Sequence, residues 1–329
     1  MRKCLVLTVF IAFLMTASSE TVLKLGSLSP AGSPWDKHLR EISEEWLKIT
    51  EGNFNMKIYS GGTVGDEIDM IRKLRVGQLD AAGLTGVGLS RIVKEIMAIQ
   101  MPRKIETNEE LFHVLGKMKE YFEKKFEKEG FKIIVWTHIG WVHFFSKKPV
   151  VYPDDLKKLK LWVWEGDANE LQSWKEQGFN PIPLPSTEIM TSLQSGMTEA
   201  LATSPLNAAS YQWFGLANNM CAMRWAPFIG AVIFSKRAWD RIPQKYKDKM
   251  MEAATSIGQR MQDEIYKTDD EAVKTMLQYG LKINEVPPAA VTDWNRQVNI
   301  GFSKLVGVNF EKEALDLVDK YLNESRNKK

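Results

Sequence analysis

The chain has 329 residues, of which 44% are hydrophobic and 26% are charged, and its formal net charge at pH 7 is +3. This length is sufficient for two domains with separate cores, and the composition is ordinary for a soluble globular protein. A charge so close to balance gives no reason to expect a nucleic acid or an anionic membrane as partner.

The first 19 residues predict a secretory signal peptide. Arg2 and Lys3 precede an apolar run from Leu5 to Met15, and small residues follow at positions 16–19. That run is too short to span a membrane, and the order of basic, apolar and small segments is typical of a cleaved export signal. Cleavage would remove both basic residues and lower the formal charge to +1. We therefore expect an exported protein without direct membrane insertion, whose one cysteine, Cys221, forms no internal disulfide.

The first part of the mature chain alternates strands and helices. Val22–Leu28 is a predicted strand, and Ser33-Pro34 then begins a helix whose apolar residues recur every three or four positions. Asn53–Tyr59 is the next strand, followed by a glycine-rich turn, a helix that ends near Leu74, and a third strand at Ala81–Thr85. This alternation predicts βαβ units and a parallel sheet.

The middle of the chain predicts the same kind of unit between Pro153 and Pro205. We expect it to contain, in order, a strand, a helix, a proline-rich turn and a second helix, at Leu159–Trp164, Ala168–Glu176, Asn180–Pro185 and Ser186–Gly196. Ser186 and Thr187 are suited to cap the second helix, and a left-handed glycine is suited to end it.

The remaining elements are mostly helical. Glu109–Gly130 predicts an amphipathic helix and Lys132–Trp136 a strand. Arg237–Gln278 is a long helical tract interrupted near Ile242-Pro243, and two shorter helices end the chain.

Several of these stretches resemble one known family. The phrases are LKLG…SPW, YSGGTVGDE, LRVGQLDAAGLT, and DDLKKLKL followed by NPIPLP. Together they resemble the substrate-binding proteins of TRAP transporters, the DctP family. The resemblance implies an α/β, two-lobed periplasmic-binding-protein-like fold with a sheet in each domain, crossover strands and a long bracing helix. It also implies a periplasmic, non-enzymatic receptor without cofactor, which passes a small molecule to TRAP-type permease subunits, and we expect a monomer.

The resemblance also suggests how the chain divides into domains. After the signal peptide at 1–19, we expect domain I to comprise residues 20–143 plus about 233–272. Domain II would then comprise residues 144–232 plus about 273–329. Phe144–Ser146 and Gly230–Phe234 are expected to be the paired crossover strands.

Candidate binding residues follow from where α/β proteins bind ligands, which is beyond the carboxyl ends of the strands. Large flat indoles often line such pockets and offer one hydrogen-bond donor. The candidates are Trp35, Gly62, Thr85, Thr137, His138, Trp141, Trp162, Trp164, Glu165, Ser186, Thr203, Ser204, Gln212 and Trp213.

Trp162 decides the expected ligand. The resemblance implies an arginine that grips the ligand carboxylate at this position. A buried carboxylate needs a paired cation, whereas tryptophan supplies one donor and no charge. We therefore expect a ligand with apolar or aromatic surface and few charges. The alternative is an organic acid held by a relocated cation, for which Arg103 and Arg224 are candidates.

Other functional signals are weak. His138 and His143 have no third metal ligand at a useful spacing, and the glycine-rich turn lacks the Gly-Lys-Ser/Thr ending of a phosphate loop. Asp66 and Glu67 are interpreted as helix-start acids, which favour the helix dipole. An enzyme on the same scaffold and a binding protein that signals to a sensor remain less favoured alternatives.

Overall fold

The fold is described from a computed structural model, which covers residues 20–327. The predicted signal peptide lies outside these residues. The described strands are β1 Thr21–Ser27, β2 Phe54–Tyr59, β3 Ala81–Thr85, β4 Phe131–Ser146, β5 Lys160–Trp164, β6 Asn180–Leu184, β7 Ala200–Thr203, β8 Asn219–Cys221, β9 Ala226–Ser235 and β10 Lys282–Asn284.

Helices surround these strands. They are α1 Pro34–Ile49, α2 Glu67–Val76, α3 Gly86–Ser90, α4 Asn108–Lys128, α5 Pro153–Lys157, α6 Ala168–Glu176, α7 Ile189–Ser195, α8 Pro205–Ser210, α9 Lys236–Asp240, α10 Gln244–Gln278, α11 Pro288–Gly301 and α12 Lys312–Arg326. None of the helices within residues 20–327 is long and apolar enough to cross a lipid bilayer.

The strands form two sheets that share β4. In the first, β1 lies parallel between β2 and β3, and β9 lies antiparallel between β3 and β4. In the second, β5 lies parallel to β6 and β7, while the end of β4 pairs antiparallel with β7 and β8. This arrangement confirms the predicted two-lobed α/β fold with a sheet in each lobe.

The predicted pairing of the crossover strands is wrong. β4 pairs with β9 along residues 131–142, so Gly230–Phe234 lies opposite Lys132–Thr137. Phe144–Ser146 instead pairs with residues 200–202 of β7 in the second sheet. The sequence prediction ended the strand at Trp136, whereas the chain stays extended through a bulge near Gly140, where φ is +112°. Glycine tolerates that backbone conformation, so β4 continues from one sheet into the other.

The proline-rich segment also departs from the prediction. Asn180–Leu184 is a strand, β6, rather than a turn, and it forms the edge of the second sheet. An edge strand tolerates Pro181 and Pro183 because its outer side needs no N–H donors. The following α-helix begins at Ile189, after a short 3₁₀ turn, and neither Ser186 nor Thr187 caps it. Gly196 ends that helix with φ +73°, as predicted.

The longest helix, α10, packs against both parts of the molecule. Its 35 residues extend over about 52 Å at 1.5 Å per residue. Near its start, Met250 packs with the apolar face of α1, where the indole Nε1 of Trp46 donates to the Met250 carbonyl at 2.9 Å. Near its end, Met276 packs with Phe145 and Trp162. The bracing helix is therefore confirmed, whereas the domain boundaries stay a prediction.

Candidate ligand-binding site

A cavity of about 290 Å³ lies between the two sheets. The carboxyl ends of four strands meet there, with Ser27 from β1, Thr85 from β3, Trp164 from β5 and Thr203 from β7 among its lining residues. In open α/β sheets this is the position at which ligands bind. The cavity is therefore the candidate binding site.

The second sheet and its helices supply an aromatic wall, which consists of Trp162, Trp164, Tyr211 and Trp213. The rings of Trp162 and Trp164 contact each other with their centroids 4.9 Å apart. They share one wall because alternate residues of a strand point to the same side. Tyr211 and Trp213 are stacked, with centroids 4.4 Å apart and an interplanar angle of 4°. The wall therefore offers two pairs of rings to a flat or apolar ligand.

The first sheet and its helices supply a wall that carries the polar residues Ser27 and Thr85 and one buried acid, Glu67. One carboxylate oxygen of Glu67 accepts from the backbone N–H of Thr85 at 2.5 Å, and the other accepts from the Thr85 hydroxyl at 2.9 Å. Burial raises the pKa of Glu67 to about 7, although the two bonds from Thr85 oppose the shift. This carboxyl can therefore be neutral near pH 7.

The cavity wall is poor in positive charge. Among the residues of 20–327 that line it there is no lysine, arginine or histidine. Neither predicted replacement cation lines it either. Arg103 donates to the Arg224 carbonyl at 3.0 Å and pairs with Glu106, while the Arg224 guanidinium lies 5.1 Å from the centre of the Trp141 ring. A carboxylate in this cavity would find no side-chain cation among the described lining residues.

Several polar contacts join the two walls at the cavity edge. The carboxylate of Asp66 caps α2 and also accepts from the backbone N–H of Ser186 and, at 3.4 Å, from the indole Nε1 of Trp164. The hydroxyl of Tyr211 donates to the Leu28 carbonyl. These contacts cross from elements of the first sheet to elements of the second, so they hold the cavity closed.

Comparison with known proteins identifies the family. The family model for DctP, described as bacterial extracellular solute-binding protein family 7, matches residues 25–304. The chain belongs to the DctP family. Members of this family are solute-binding proteins rather than enzymes, and they work with a membrane permease.

Individual relatives of this DctP protein are distant in sequence and close in fold. A solute-binding protein of Chromohalobacter salexigens is 24% identical over 87% of both chains. The sugar acid binding protein of Advenella mimigardefordensis, solved with galactonate, has a TM-score of 0.87 at 17% identity, over 93% of this chain and 99% of its own. A TRAP periplasmic solute-binding protein of C. salexigens, solved with d-glucuronate, has a TM-score of 0.84 at 21% identity, over 92% and 99%.

The structure brings together half of the residues predicted to bind the ligand. Those that line the cavity are Trp35, Thr85, Trp162, Trp164, Ser186, Thr203 and Trp213. The others, which are not among its lining residues, are Gly62, Thr137, His138, Trp141, Glu165, Ser204 and Gln212.

Local contacts explain why most of the second group lies elsewhere. The indole of Trp141 donates to Asn108 at 2.8 Å, and the hydroxyl of Ser204 accepts from the backbone of Asn207 as the cap of α8. Thr137 and His138 are buried within β4. Burial also lowers the pKa of His138 to about 4, so this side chain is neutral at pH 7.

Many of the lining residues were not among the predicted ones, and they include Glu67, Met190, Asn207 and Phe228. Asn207 could have been found, because it lies in the first turn of the helix that follows β7. Glu67 carried no such signal, since an acid in a first helical turn is ordinary. Within residues 20–327 no group of three or more His, Cys, Asp or Glu side chains could hold a metal ion.

Proposed function

We propose that this DctP protein is a periplasmic receptor for a small, uncharged ligand with aromatic or apolar surface, which it delivers to a TRAP-type permease. The observation that carries the proposal is the absence of any cation among the described residues that line the cavity. Burying a carboxylate without a paired cation costs several kcal/mol, about the difference between a micromolar and a millimolar binder. The aromatic wall supplies the contact area that replaces this ion pair.

The roles of individual residues follow from their positions. Trp162, Trp164 and Trp213 would pack on the apolar faces of the ligand, while Thr85 and Thr203 would hydrogen-bond its polar groups. Glu67 would donate or accept according to its protonation state. Trp162 would replace the arginine that grips a carboxylate in the family, which removes the reason for the ligand to be an acid.

Closure of two lobes is the proposed mechanism of capture. Domain I (residues 20–143 and about 233–272) would carry the polar wall, and domain II (residues 144–232 and about 273–329) the aromatic wall. A ligand that contacts both walls favours the closed state over the open one. The contacts of Asp66 and Tyr211 across the cavity support this view, because they form only when the walls are close.

An organic acid is the second candidate ligand. The two solved relatives with galactonate and d-glucuronate favour it. Arg103 and Arg224, however, are absent from the lining residues and are engaged elsewhere. We therefore place the uncharged ligand first.

Identification of a co-purified ligand tests the proposal. The mature protein would be purified without denaturant, and native mass spectrometry would measure any mass carried with it, which denaturing chromatography and mass spectrometry would then identify. The same protein unfolded in urea, dialysed and refolded serves as the blank. We expect an uncharged compound with apolar or aromatic groups, whereas a mono- or dicarboxylate would overturn the proposal.

A further inference from the structure

A second, smaller cavity adjoins the candidate site. Its volume is about 150 Å³, and it shares Trp162, Trp164, Ala202 and Phe228 with the first cavity. The two cavities are therefore neighbouring chambers that meet at these four residues. We call them the first and the second chamber.

The second chamber is lined mainly by apolar side chains. Trp174, Trp225 and Phe302 form one side, with ring centroids 5.1 to 5.9 Å from one another. Met97 and Met101 form part of its lining, and methionine side chains adapt to irregular shapes. Ser90, Gln100 and Glu170 also line the chamber, so an alkyl or aryl group would pack mainly on its aromatic and methionine side chains.

A concave, mainly apolar space beside a candidate site is typical of ligand-binding pockets. The aromatic cluster around Trp174 and Trp225 is otherwise closely packed and buried. A cavity next to the candidate site, beside a cluster this dense, therefore favours a bound occupant.

We propose that the second chamber binds an apolar arm of the ligand whose polar end occupies the first chamber. This inference rests on the proposed function, since it extends the same ligand. The first chamber alone is at the small end of ligand pockets, which span roughly 300–1,000 Å³. The ligand class is then an uncharged molecule with a short polar head and an alkyl or aryl arm, rather than a compact sugar acid.

A series of phenylalkanols tests the inference. The probes are 2-phenylethanol, 4-phenylbutanol and 6-phenylhexanol, titrated calorimetrically into protein that has been unfolded, dialysed and refolded. If a chamber accepts the arm, affinity rises about fourfold for each added methylene until the chamber is full. Met101→Trp fills the second chamber and should abolish that rise while leaving the affinity for 2-phenylethanol within twofold.

Met190→Trp is the matched control, because Met190 lines the first chamber and is not among the lining residues of the second. It should weaken all three alcohols by a similar factor. Circular dichroism and retained binding of 2-phenylethanol show that Met101→Trp is folded. Ala226→Val is a second variant, which narrows the second chamber by a smaller change in side-chain volume.

The possible failures are distinguishable. The second chamber is overturned as a binding site if affinity does not rise with arm length. It is also overturned if the rise persists in both Met101→Trp and Ala226→Val. Either result leaves the proposed function in place. Binding of succinate or d-glucuronate together with no binding of any alcohol overturns both. No binding of any compound overturns the inference for this class of ligand.

Discussion

The two walls of the cavity differ in chemistry. The wall from the first sheet contributes Ser27, Thr85 and the buried acid Glu67, whereas the wall from the second contributes Trp162, Trp164, Tyr211 and Trp213. Hydrogen-bonding groups therefore face aromatic rings across the space. The division is not complete, because Trp35 lies on the first wall and Thr203 and Asn207 lie on the second. We expect the first wall to select mainly the polar groups of the ligand, and the second wall its size and shape.

Removal of the central indole should break the aromatic wall and produce the largest effect. Trp162 is buried and packs on Trp164, so Trp162→Ala should lower the free energy of unfolding by about 3–5 kcal/mol. It should also weaken binding of the co-purified ligand by at least tenfold, since a contacting ring is lost. Urea unfolding measures the first effect and calorimetric titration measures the second.

Trp46→Ala is the control for Trp162→Ala. Trp46 is equally buried but belongs to the core beneath α1, away from the cavity. We expect a similar loss of stability with unchanged affinity of the folded protein. Unchanged affinity in Trp162→Ala as well would remove the aromatic wall from the account.

Substitution of the buried acid should sharpen the contrast between the walls. The pKa of Glu67 is raised from 4.5 to about 7, so between these values the folded protein holds a proton that the unfolded chain has released. The contribution of Glu67 to stability is therefore complete below pH 4.5 and is lost as the pH rises through 7, by about 3 kcal/mol in all.

Glu67→Gln should remove that loss, because glutamine keeps the shape and cannot ionise. We expect the difference in unfolding free energy between wild type and variant to change by up to about 3 kcal/mol between pH 5 and pH 8, in favour of glutamine at high pH. Denaturant unfolding at four pH values checks this. Parallel pH profiles for the two proteins would show that Glu67 is ionised in the folded state.

Separation of the two walls gives a smaller effect. Asp66→Ala removes the cap of α2 and the acceptor of the Ser186 N–H, so stability should fall by about 1–3 kcal/mol. The ligand-free protein should also become more open, with a larger radius of gyration in small-angle scattering. Asp155→Ala is the control: Asp155 accepts from two backbone N–H groups near α5 without joining the walls. An equal change in radius for both variants would contradict the role of Asp66 in closure.

The sequence was most informative where local spacing decides the structure. The alternation of Trp162 and Trp164 along β5 is enough to place both rings on one wall, and the two rings are in contact. Ser33 and Pro34 predicted the start of α1, and the Ser33 side chain accepts from the third residue of that turn. Both features depend on neighbours within three residues, so they can be read without knowledge of the fold.

Features that depend on distant partners were predicted less well. Pro181 and Pro183 suggested a turn, because the edge position that tolerates them depends on how the sheet is ordered. Glu67 looked like an ordinary helix-start acid, and only its contact with Thr85, 18 residues further on, makes it part of the cavity. Trp141 was predicted to line the cavity, but its indole donates to Asn108 and its ring packs against the Arg224 guanidinium outside the cavity.

The absence of a cation among the described lining residues is tested most directly by one matched pair of ligands. Phenylacetamide and phenylacetate share a ring and differ in the carboxylate, and both would be titrated calorimetrically into ligand-free protein at pH 7.5. The account predicts that the uncharged amide binds at least about tenfold tighter, because the carboxylate would be buried without a partner. Equal or tighter binding of phenylacetate would contradict it and would mean that a cation reaches the ligand.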